Sequence, residues 1–204
     1  LSVAQSVVHC EEPLFQHGVP RLQKPLPPPP LVVRWCGGVE VAEFQFTGNV
    51  FSDGSVHAGF RKGHERAGWA AVMIGSDGLV LGGIYGTCPD FFPTSLRAEL
   101  WGLLQTLRHA CPPITVWVDN AGVVDGFAKG AAWCCSSTRP AADLWRMVWW
   151  KVGDLGVEGI HVRKVKGHAT LADVEAGRIT AWHRDGNGHA DHFASRGSVL
   201  AEEL

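Results

Sequence analysis

The order of strand-like and helix-like segments is the feature that most constrains how this chain can fold. Three short apolar runs come first: one that ends at Asp53, then residues 68–74 and 79–85. The turn signal Ser-Asp-Gly separates the second run from the third, and this arrangement predicts an antiparallel meander of three strands.

The second half of the chain alternates between helical and strand patterns. Residues 94–110 carry leucines at 96, 100, 103 and 107, which form one apolar stripe on a helix. The other predicted segments are a strand at 114–118, helices at 120–129 and 140–152, a strand at 160–165 and a final helix at 188–196. Five strands interleaved with helices in this order predict an α/β fold.

Residues 1–45 differ in composition from the rest, and we expect them to form an N-terminal extension to a domain that spans residues 46–200. The prolines at 25–30 predict an extended, semi-rigid linker within this extension. The chain begins with Leu1 and shows no signal-peptide pattern, so we expect it to be a piece of a longer polypeptide. No stretch is long and apolar enough to predict a membrane span.

Charge and cysteine content narrow the partners and the compartment. The formal net charge is −2, so nucleic-acid binding would need a local basic patch, of which Arg163, Lys164 and Lys166 form the nearest. None of the six cysteines belongs to a Cys-x-x-Cys pair, and two are adjacent, which is poor geometry for a disulfide. We therefore expect free thiols in a reducing, intracellular location, either cytoplasmic or nuclear.

Four carboxylates stand at notable positions, and each alone has an ordinary structural interpretation. Asp53 precedes a glycine, as turn aspartates do, and Asp119 ends a strand where it could cap the next helix. Glu99 lies beside the apolar stripe of its helix, where glutamates usually turn towards solvent. Asp191, in the first turn of the last predicted helix, would offset the helix dipole. If all four converged, they would repel one another unless cations neutralised them.

The sequence around these carboxylates resembles a known family. The frames are Ser-Asp-Gly-Ser at Asp53, Arg-Ala-Glu-Leu at Glu99, Val-Asp-Asn at Asp119, Val-Lys-Gly-His ending at His168 and Gly-His-Ala-Asp ending at Asp191. In this order, and with these flanks, the chain resembles type 1 ribonuclease H over roughly residues 48–198. The resemblance implies a five-stranded mixed sheet, with three antiparallel strands followed by two parallel ones, flanked by helices.

The resemblance also implies an activity, which is metal-dependent endonucleolytic hydrolysis of the RNA strand of an RNA–DNA hybrid. The four carboxylates would hold two Mg²⁺ ions, with Mn²⁺ as a substitute, and His168 would transfer a proton. Substrate contacts are expected from Gly54, Ser55, Ser95, Arg97, Asn120 and Lys166.

Two stretches depart from the family pattern. The Lys- and Trp-rich helix of many bacterial members is missing from residues 130–139, so we expect weaker substrate binding by the isolated chain. Residues 171–184 resemble an insertion found in retrotransposon polyproteins. Three acids in or beside it are alternative candidates for the fourth carboxylate, namely Asp173, Glu175 and Asp185. The Gly-His-Ala-Asp frame favours Asp191 for this position. We therefore expect a domain of a reverse-transcriptase polyprotein, whose polymerase domain would be a partner that supplies affinity.

Other interpretations remain open at the level of sequence. A catalytically inactive scaffold with the same fold would bind nucleic acid or a protein partner without cutting. A proofreading exonuclease would carry a second acid in the first frame, where Ser55 stands, and an integrase would need a downstream glutamate, for which Glu158 is only loosely placed. A plain α/β interaction domain is the remaining alternative.

Overall fold

The computed structural model describes residues 27–37, 44–58 and 65–203, which form one six-stranded sheet in the order β1-β4-β3-β2-β5-β6. The strands are β1 (Val33–Cys36), β2 (Phe46–His57), β3 (Arg66–Ile74), β4 (Val80–Thr87), β5 (Ala110–Val118) and β6 (Ile160–Lys164). The first four strands pair antiparallel, whereas β5 pairs parallel with both β2 and β6. The predicted α/β fold with a mixed sheet is thus confirmed.

The sheet has one strand more than the five that the sequence predicts. The additional strand, β1, lies in the segment assigned to the N-terminal extension and pairs with the outer edge of β4. The chain before it is tied to β4 through Thr87, whose Oγ1 donates to the Pro30 carbonyl at 2.5 Å and accepts from the Val32 N–H at 2.9 Å. A four-residue strand directly after a proline run gives too short a pattern to predict from alternation. The predictions for residues 1–26 and 38–43, including part of the proline-rich linker, concern residues outside the described part of the chain.

Helices connect and cover the strands. They are α1 (Ser95–Arg108), α2 (Ala121–Lys129), α3 (Ala131–Cys134), α4 (Ala142–Leu155), α5 (Leu171–Glu175) and α6 (Ala181–Glu202). Thr94 begins α1 by accepting a hydrogen bond from the Arg97 N–H, and Asn120 begins α2 by accepting one from the Val123 N–H. Such side-chain caps satisfy N–H groups that have no partner within the helix. The sequence suggested Asp119 as the cap of α2, but the neighbouring Asn120 takes this position.

The two faces of the sheet are buried by different helices. On one face, Leu100, Leu103 and Leu107 of α1 join Leu144 and Val148 of α4 in a large apolar core. On the other face, α6 lies against β2, β3 and β4. There Ala190 packs in a smaller apolar cluster with Phe51, Val72, Ile74 and Val165. The strands are therefore covered from both sides, and β2 lies in the interior of the sheet.

β2 does not end at Asp53, as the Asp-Gly pair predicts, but continues to His57. Within the ladder Asp53 pairs with Ala70 and Gly54 pairs with Trp69. The glycine serves a different purpose from a turn. A Cβ at Gly54 would overlap the backbone of Ala98 and Glu99, so its absence lets α1 cross directly over β2.

The last helix also begins earlier than predicted, at Ala181, so that Asp191 lies in the middle of α6 and not in its first turn. Gly186 and Gly188 weaken the helical pattern before residue 188. Tertiary packing offsets this weakness, because the ring of Trp182 lies 4.8 Å from that of Phe51. The apparent insertion at 171–184 therefore supplies α5 and the first turn of α6.

Two further sequence expectations concern the membrane and the thiols. Among the helices that the structure describes, none combines the length and the apolar character needed to cross a bilayer. Cys36, Cys88, Cys111, Cys134 and Cys135 are free thiols, as predicted. Cys10 lies outside the described residues.

We predict that Gly68→Ala lowers the free energy of unfolding by about 2–4 kcal/mol. A Cβ at Gly68 would overlap the backbone of α6 at Gly197 and Ser198, forcing α6 away from β3. Gly153→Ala is the matched control, because a Cβ there meets nothing within 4 Å and should stabilise α4 by about 0.5–1 kcal/mol. Urea denaturation measures both variants, and equal stability of the two would contradict the close contact.

Candidate metal centre

Three acidic side chains from separate elements converge beside the neighbouring strands β2 and β5. Ligand atoms of Asp53, Glu99 and Asp119 all lie within 4.8 Å of one another. Asp53 comes from the middle of β2, Glu99 from the second turn of α1, and Asp119 from the residue that follows β5. Among the residues that the structure describes, this is the one group of three or more potential ligands that close together.

Close packing between α1 and β2 brings the first two carboxylates together. Besides Gly54, Gly102 of α1 allows the approach, because a Cβ there would lie 2.5 Å from the Ser52 Oγ. Two glycines, one on each element, thus replace side chains that would separate the helix from the strand. The sequence shows both glycines, but only the structure shows that they lie where α1 crosses β2.

Glu99 lies in an environment that suits a bound cation. The residue is only 2% exposed, and its Oε2 is buried without a hydrogen-bond partner among the described residues. Asp53 is 5% exposed, and its Oδ1 accepts one hydrogen bond, from the Gly54 N–H at 2.8 Å. A buried carboxylate oxygen without a donor is costly. Oxygen-rich donor sets of this kind fit a hard divalent cation such as Mg²⁺ or Mn²⁺.

The protonation of the cluster follows from burial and mutual repulsion. Burial, followed by repulsion from Asp119, raises the pKa of Asp53 to about 7. Burial, followed by repulsion from Asp53 and Asp119, raises the pKa of Glu99 well above its usual value. Without a cation, the cluster therefore retains protons near neutral pH, and cation binding has to displace them.

Asp191 lies near this group but outside the set of three. Its charge contributes to the raised pKa of Asp53, which places it close to that carboxylate. One turn further along α6, the Ser195 Oγ lies 3.4 Å from the Ser55 Oγ of β2. The helix therefore follows β2 past the cluster, and Asp191 borders the three converging acids from the α6 side.

The loop after β6 holds Asp119 in place. Lys164 donates from its Nζ to the Asp119 carbonyl, and the Val165 N–H donates to the Val118 carbonyl at 3.0 Å. A Cβ at Gly167 would overlap the Asp119 carboxylate, so the loop passes directly over it. His168 follows, exposed and with a φ of 47°. The contributions of Lys164 and Gly167 were missed from sequence, although Gly167 is the glycine of the Val-Lys-Gly-His frame and Lys164 directly precedes that frame.

The predicted substrate contacts fall into two groups. Ser95 and Asn120 stand at the starts of α1 and α2, and the Asn120 Nδ2 lies 3.5 Å from the Ser95 Oγ beside the acidic cluster. Arg97 instead binds two carboxylates, at 2.6 Å from Asp90 and 2.8 Å from Asp143, and its side chain is only 21% exposed. Its guanidinium therefore joins α1 to α4, and few of its donors remain for substrate.

The other acids named as substitutes for Asp191 have different partners. Asp173 completes the capping box that Thr170 begins at α5, accepts a hydrogen bond from the Arg178 Nε and forms an ion pair with Lys166. Asp185 forms an ion pair with Arg184, and Glu175 is exposed. None of the three belongs to the cluster of converging ligand atoms within the described part of the chain.

In place of the missing basic helix stands the short α3. Two cations lie over the ring of Trp133, with Lys129 Nζ 4.3 Å and the Arg139 guanidinium carbon 4.0 Å from its centroid. Lys129 and Arg139 therefore bring positive charge to this region, although α3 itself is only four residues long.

Comparisons with known proteins identify the fold. No family model and no curated protein matches the sequence. The crystal structure of prototype foamy virus protease-reverse transcriptase matches with a TM-score of 0.59 at 20% identity, covering 79% of this chain and 22% of that one. The solution structure of the RNase H domain of the same virus gives 0.56 at 20%, covering 78% and 98%. LC9-RNase H1, described as a type 1 RNase H with the type 2 active-site motif, gives 0.54 at 18%, covering 77% and 74%.

Identities of this size establish the fold alone, and the chain has the ribonuclease H-like fold that the frames predicted. The chain spans about a fifth of the foamy virus protease-reverse transcriptase but nearly all of the separate RNase H domain. Similarity to retrotransposon proteins in particular is not among these findings.

We predict that Asp53→Asn stabilises the cation-free protein above pH 7. Because the pKa of Asp53 is raised to about 7, the folded state of the wild type binds a proton that the unfolded state releases near pH 4. The contribution of Asp53 to wild-type stability should therefore fall between about pH 4 and 7 and then level off. The variant should lack the part of this fall that comes from Asp53 and gain on the order of 3 kcal/mol at pH 8.

Urea denaturation in EDTA from pH 5 to 8 measures this effect, with Asp125→Asn, an exposed acid of α2, as the control. Added Mg²⁺ or Mn²⁺ should stabilise the wild type and the control but not Asp53→Asn. Wild-type stability that stays constant between pH 5 and 7, with no response to either cation, would contradict the electrostatic account of the cluster.

Proposed function

We propose that this protein is an endonuclease that hydrolyses the RNA strand of RNA–DNA hybrids in a divalent-metal-dependent reaction. The observation that supports this most is the buried set of Asp53, Glu99 and Asp119, with an unpartnered oxygen on Glu99. Asp191 would complete the set of carboxylates from α6. The ribonuclease H-like fold is consistent with this proposal, because LC9-RNase H1 and the foamy virus RNase H domain share it.

The four carboxylates would hold two Mg²⁺ ions, or Mn²⁺ in their place. When bound, such ions offset the carboxylate charge, activate water and stabilise the departing oxygen during phosphodiester hydrolysis. The protein itself contributes rigidity: Asp53 lies in a strand that is paired on both sides, and Asp119 is fixed through its carbonyl by Lys164. Preorganised ligands of this kind need little rearrangement during the reaction.

His168 is proposed to move a proton near the leaving or attacking oxygen. It is exposed, follows the loop that covers Asp119, and carries no carboxylate partner among the described residues. A neutral imidazole can accept and return protons near neutral pH. The exposure of His168 leaves it free to reach a bound phosphodiester.

Recognition of the hybrid is proposed to use polar groups around the cluster. Gly54 and Ser55 follow Asp53 on β2, and Ser95 and Asn120 meet at the helix starts next to it. Hydroxyl and amide groups can distinguish RNA by its 2′-hydroxyls across the wide minor groove of a hybrid. Lys166 offers a positive charge, whereas Arg97 is largely occupied by Asp90 and Asp143.

The wider context is proposed to be a retroelement polyprotein with a polymerase domain nearby. Support comes from the foamy virus protease-reverse transcriptase, in which a region of this fold is part of a much longer polypeptide. A neighbouring polymerase would raise the effective concentration of substrate at this domain. This suits a chain that has a net charge of −2 and, among the residues that the structure describes, no large basic helix. The free thiols of the described residues fit a reducing intracellular compartment.

We predict that the wild type cuts only the RNA strand of a strand-labelled RNA–DNA hybrid, in Mg²⁺ or Mn²⁺, and that EDTA stops the cutting. Asp119→Asn should reduce the rate by at least about a hundredfold, because it removes one of the converging ligands. Asp125→Asn serves as the control with the same chemical change on an exposed part of α2, and it should cut at the wild-type rate. Duplex DNA and duplex RNA should remain intact.

The competing function is a catalytically inactive scaffold with the same fold. Wild-type protein that binds the hybrid but does not cut it in either cation would favour the scaffold. Cutting that is unaffected by Asp119→Asn would instead show that a different site, or a contaminant, performs the reaction. Circular dichroism of each variant separates loss of activity from loss of fold.

A further inference from the structure

A positively charged groove lies beside the acidic cluster. Its volume is about 580 Å³, and it runs between the ends of β5 and β6 on one side and the α5 turn on the other. Ten residues line it, including Lys164, Lys166 and Arg178 but no carboxylate. Trp117 and Ile179 supply apolar surface between the cations. The lining thus combines positive charge with an aromatic ring, in a chain whose net charge is negative.

Lys166 and Arg178 both form ion pairs with one buried carboxylate, that of Asp173. The Asp173 Oδ1 accepts from the Arg178 Nε at 2.7 Å, and its Oδ2 lies 3.4 Å from the Lys166 Nζ. The same Oδ2 accepts from the Thr170 N–H at 2.8 Å and from the Thr170 hydroxyl at 2.9 Å. Asp173 is 6% exposed, so this acid is fixed in place and lies below the surface that the cations present.

The backbone after α5 fixes Arg178 a second time. Gly177 has a φ of 69°, and its N–H donates to the Val174 carbonyl at 2.9 Å. The Arg178 N–H then donates to the Asp173 carbonyl, also at 2.9 Å. This pair of bonds around a left-handed glycine is the Schellman arrangement, which reverses the chain at a helix end. Arg178 is therefore anchored to Asp173 through both its main chain and its side chain.

The groove is continuous with the metal centre. Lys164 binds the Asp119 carbonyl and also lines the groove. Lys166 comes directly before Gly167, which lies against the Asp119 carboxylate. A nucleic-acid strand bound at the acidic cluster would therefore also contact the groove, because Lys164 and Lys166 line the groove and lie next to Asp119.

From these observations we propose that Lys166 and Arg178 form a phosphate-binding clamp for the nucleic-acid strand that extends from the acidic cluster, an inference that rests on the proposed function. Their side chains are 46% and 56% exposed, so their remaining N–H groups are available to a phosphate. Besides the bond from its Nε, Arg178 donates from Nη2 to the Ala172 carbonyl at 3.4 Å, which leaves Nη1 and the second N–H of Nη2 for phosphate oxygens. The clamp offsets the repulsion that the nearby carboxylates exert on a polyanion.

The alternative is that these ion pairs only stabilise the fold of residues 170–178. Exposed ion pairs contribute little to stability, and the capping box and the Schellman turn already fix this segment. A structural role predicts altered thermal stability without a change in salt dependence. A phosphate contact predicts the reverse, because each cation that binds phosphate releases a counterion.

The test uses the full chain and a strand-labelled RNA–DNA hybrid in Mg²⁺, with cleavage measured over a range of KCl concentrations. For Arg178→Gln we expect a KM raised about fivefold and a salt slope of log(kcat/KM) that is shallower by about one. Arg178→Lys should recover most of the salt slope. Lys166→Gln should behave like Arg178→Gln while it leaves the Arg178–Asp173 pair intact, so the test survives if one variant folds poorly.

Arg108→Gln is the matched control, since it removes the same charge at the end of α1, about two and a half turns beyond Glu99. It should leave the KM and the salt slope at wild-type values. If the wild type cuts the hybrid and both groove variants keep its KM and its salt slope, the clamp is wrong and the proposed function stands. If the groove variants lose thermal stability while the salt slope stays constant, the ion pairs are structural and the clamp is again wrong. If the wild type neither binds nor cuts the hybrid, the proposed function and the clamp are both wrong.

Discussion

The burial of mutually repelling carboxylates is the constraint on which the rest of this structure depends. Glu99 and Asp53 lie almost out of contact with water, and neither has a cationic side chain among the residues that would set its pKa. Apolar packing of α1 and α4 against the sheet has to overcome this repulsion, because desolvated charge is unfavourable wherever it is placed. The cluster is therefore a stored electrostatic penalty, and a cation or a proton relieves it.

The fold prevents the carboxylates from moving apart to reduce their repulsion. Asp53 belongs to a strand with neighbours on both sides, and α1 is pressed onto the same strand where Gly54 and Gly102 leave no side chain between them. Asp119 ends β5, whose parallel pairing with β2 brings the two strand segments side by side. Elements that are fixed in this way hold their ligands at short distance in spite of repulsion, which flexible loops would not do.

Much of the fold could be predicted from the sequence, because apolar periodicity, helix caps and turn residues are local signals. The apolar stripe of α1 is an example, since the helix predicted at residues 94–110 is present at Ser95–Arg108. The predictions that were wrong concerned features that depend on tertiary contacts. The Asp-Gly pair at Asp53 indicated a turn, but the glycine serves a helix crossing, and the start of α6 is stabilised by Trp182 against Phe51. The convergence of three acids could be inferred only by resemblance, since residues 53, 99 and 119 are distant in sequence, and the position of Asp191 beside the group could not be derived from any one segment.

The turn that carries Arg178 differs from the rest of the molecule in how it is built. Its hydrogen bonds join residues at most six positions apart, from the cap at Thr170 to Arg178 after the reversal at Gly177, and they involve none of the sheet. A segment that closes on itself can change in length or composition over evolution without disturbing strand register. The charge of this region can therefore be changed without disturbing the strands that position Asp53 and Asp119.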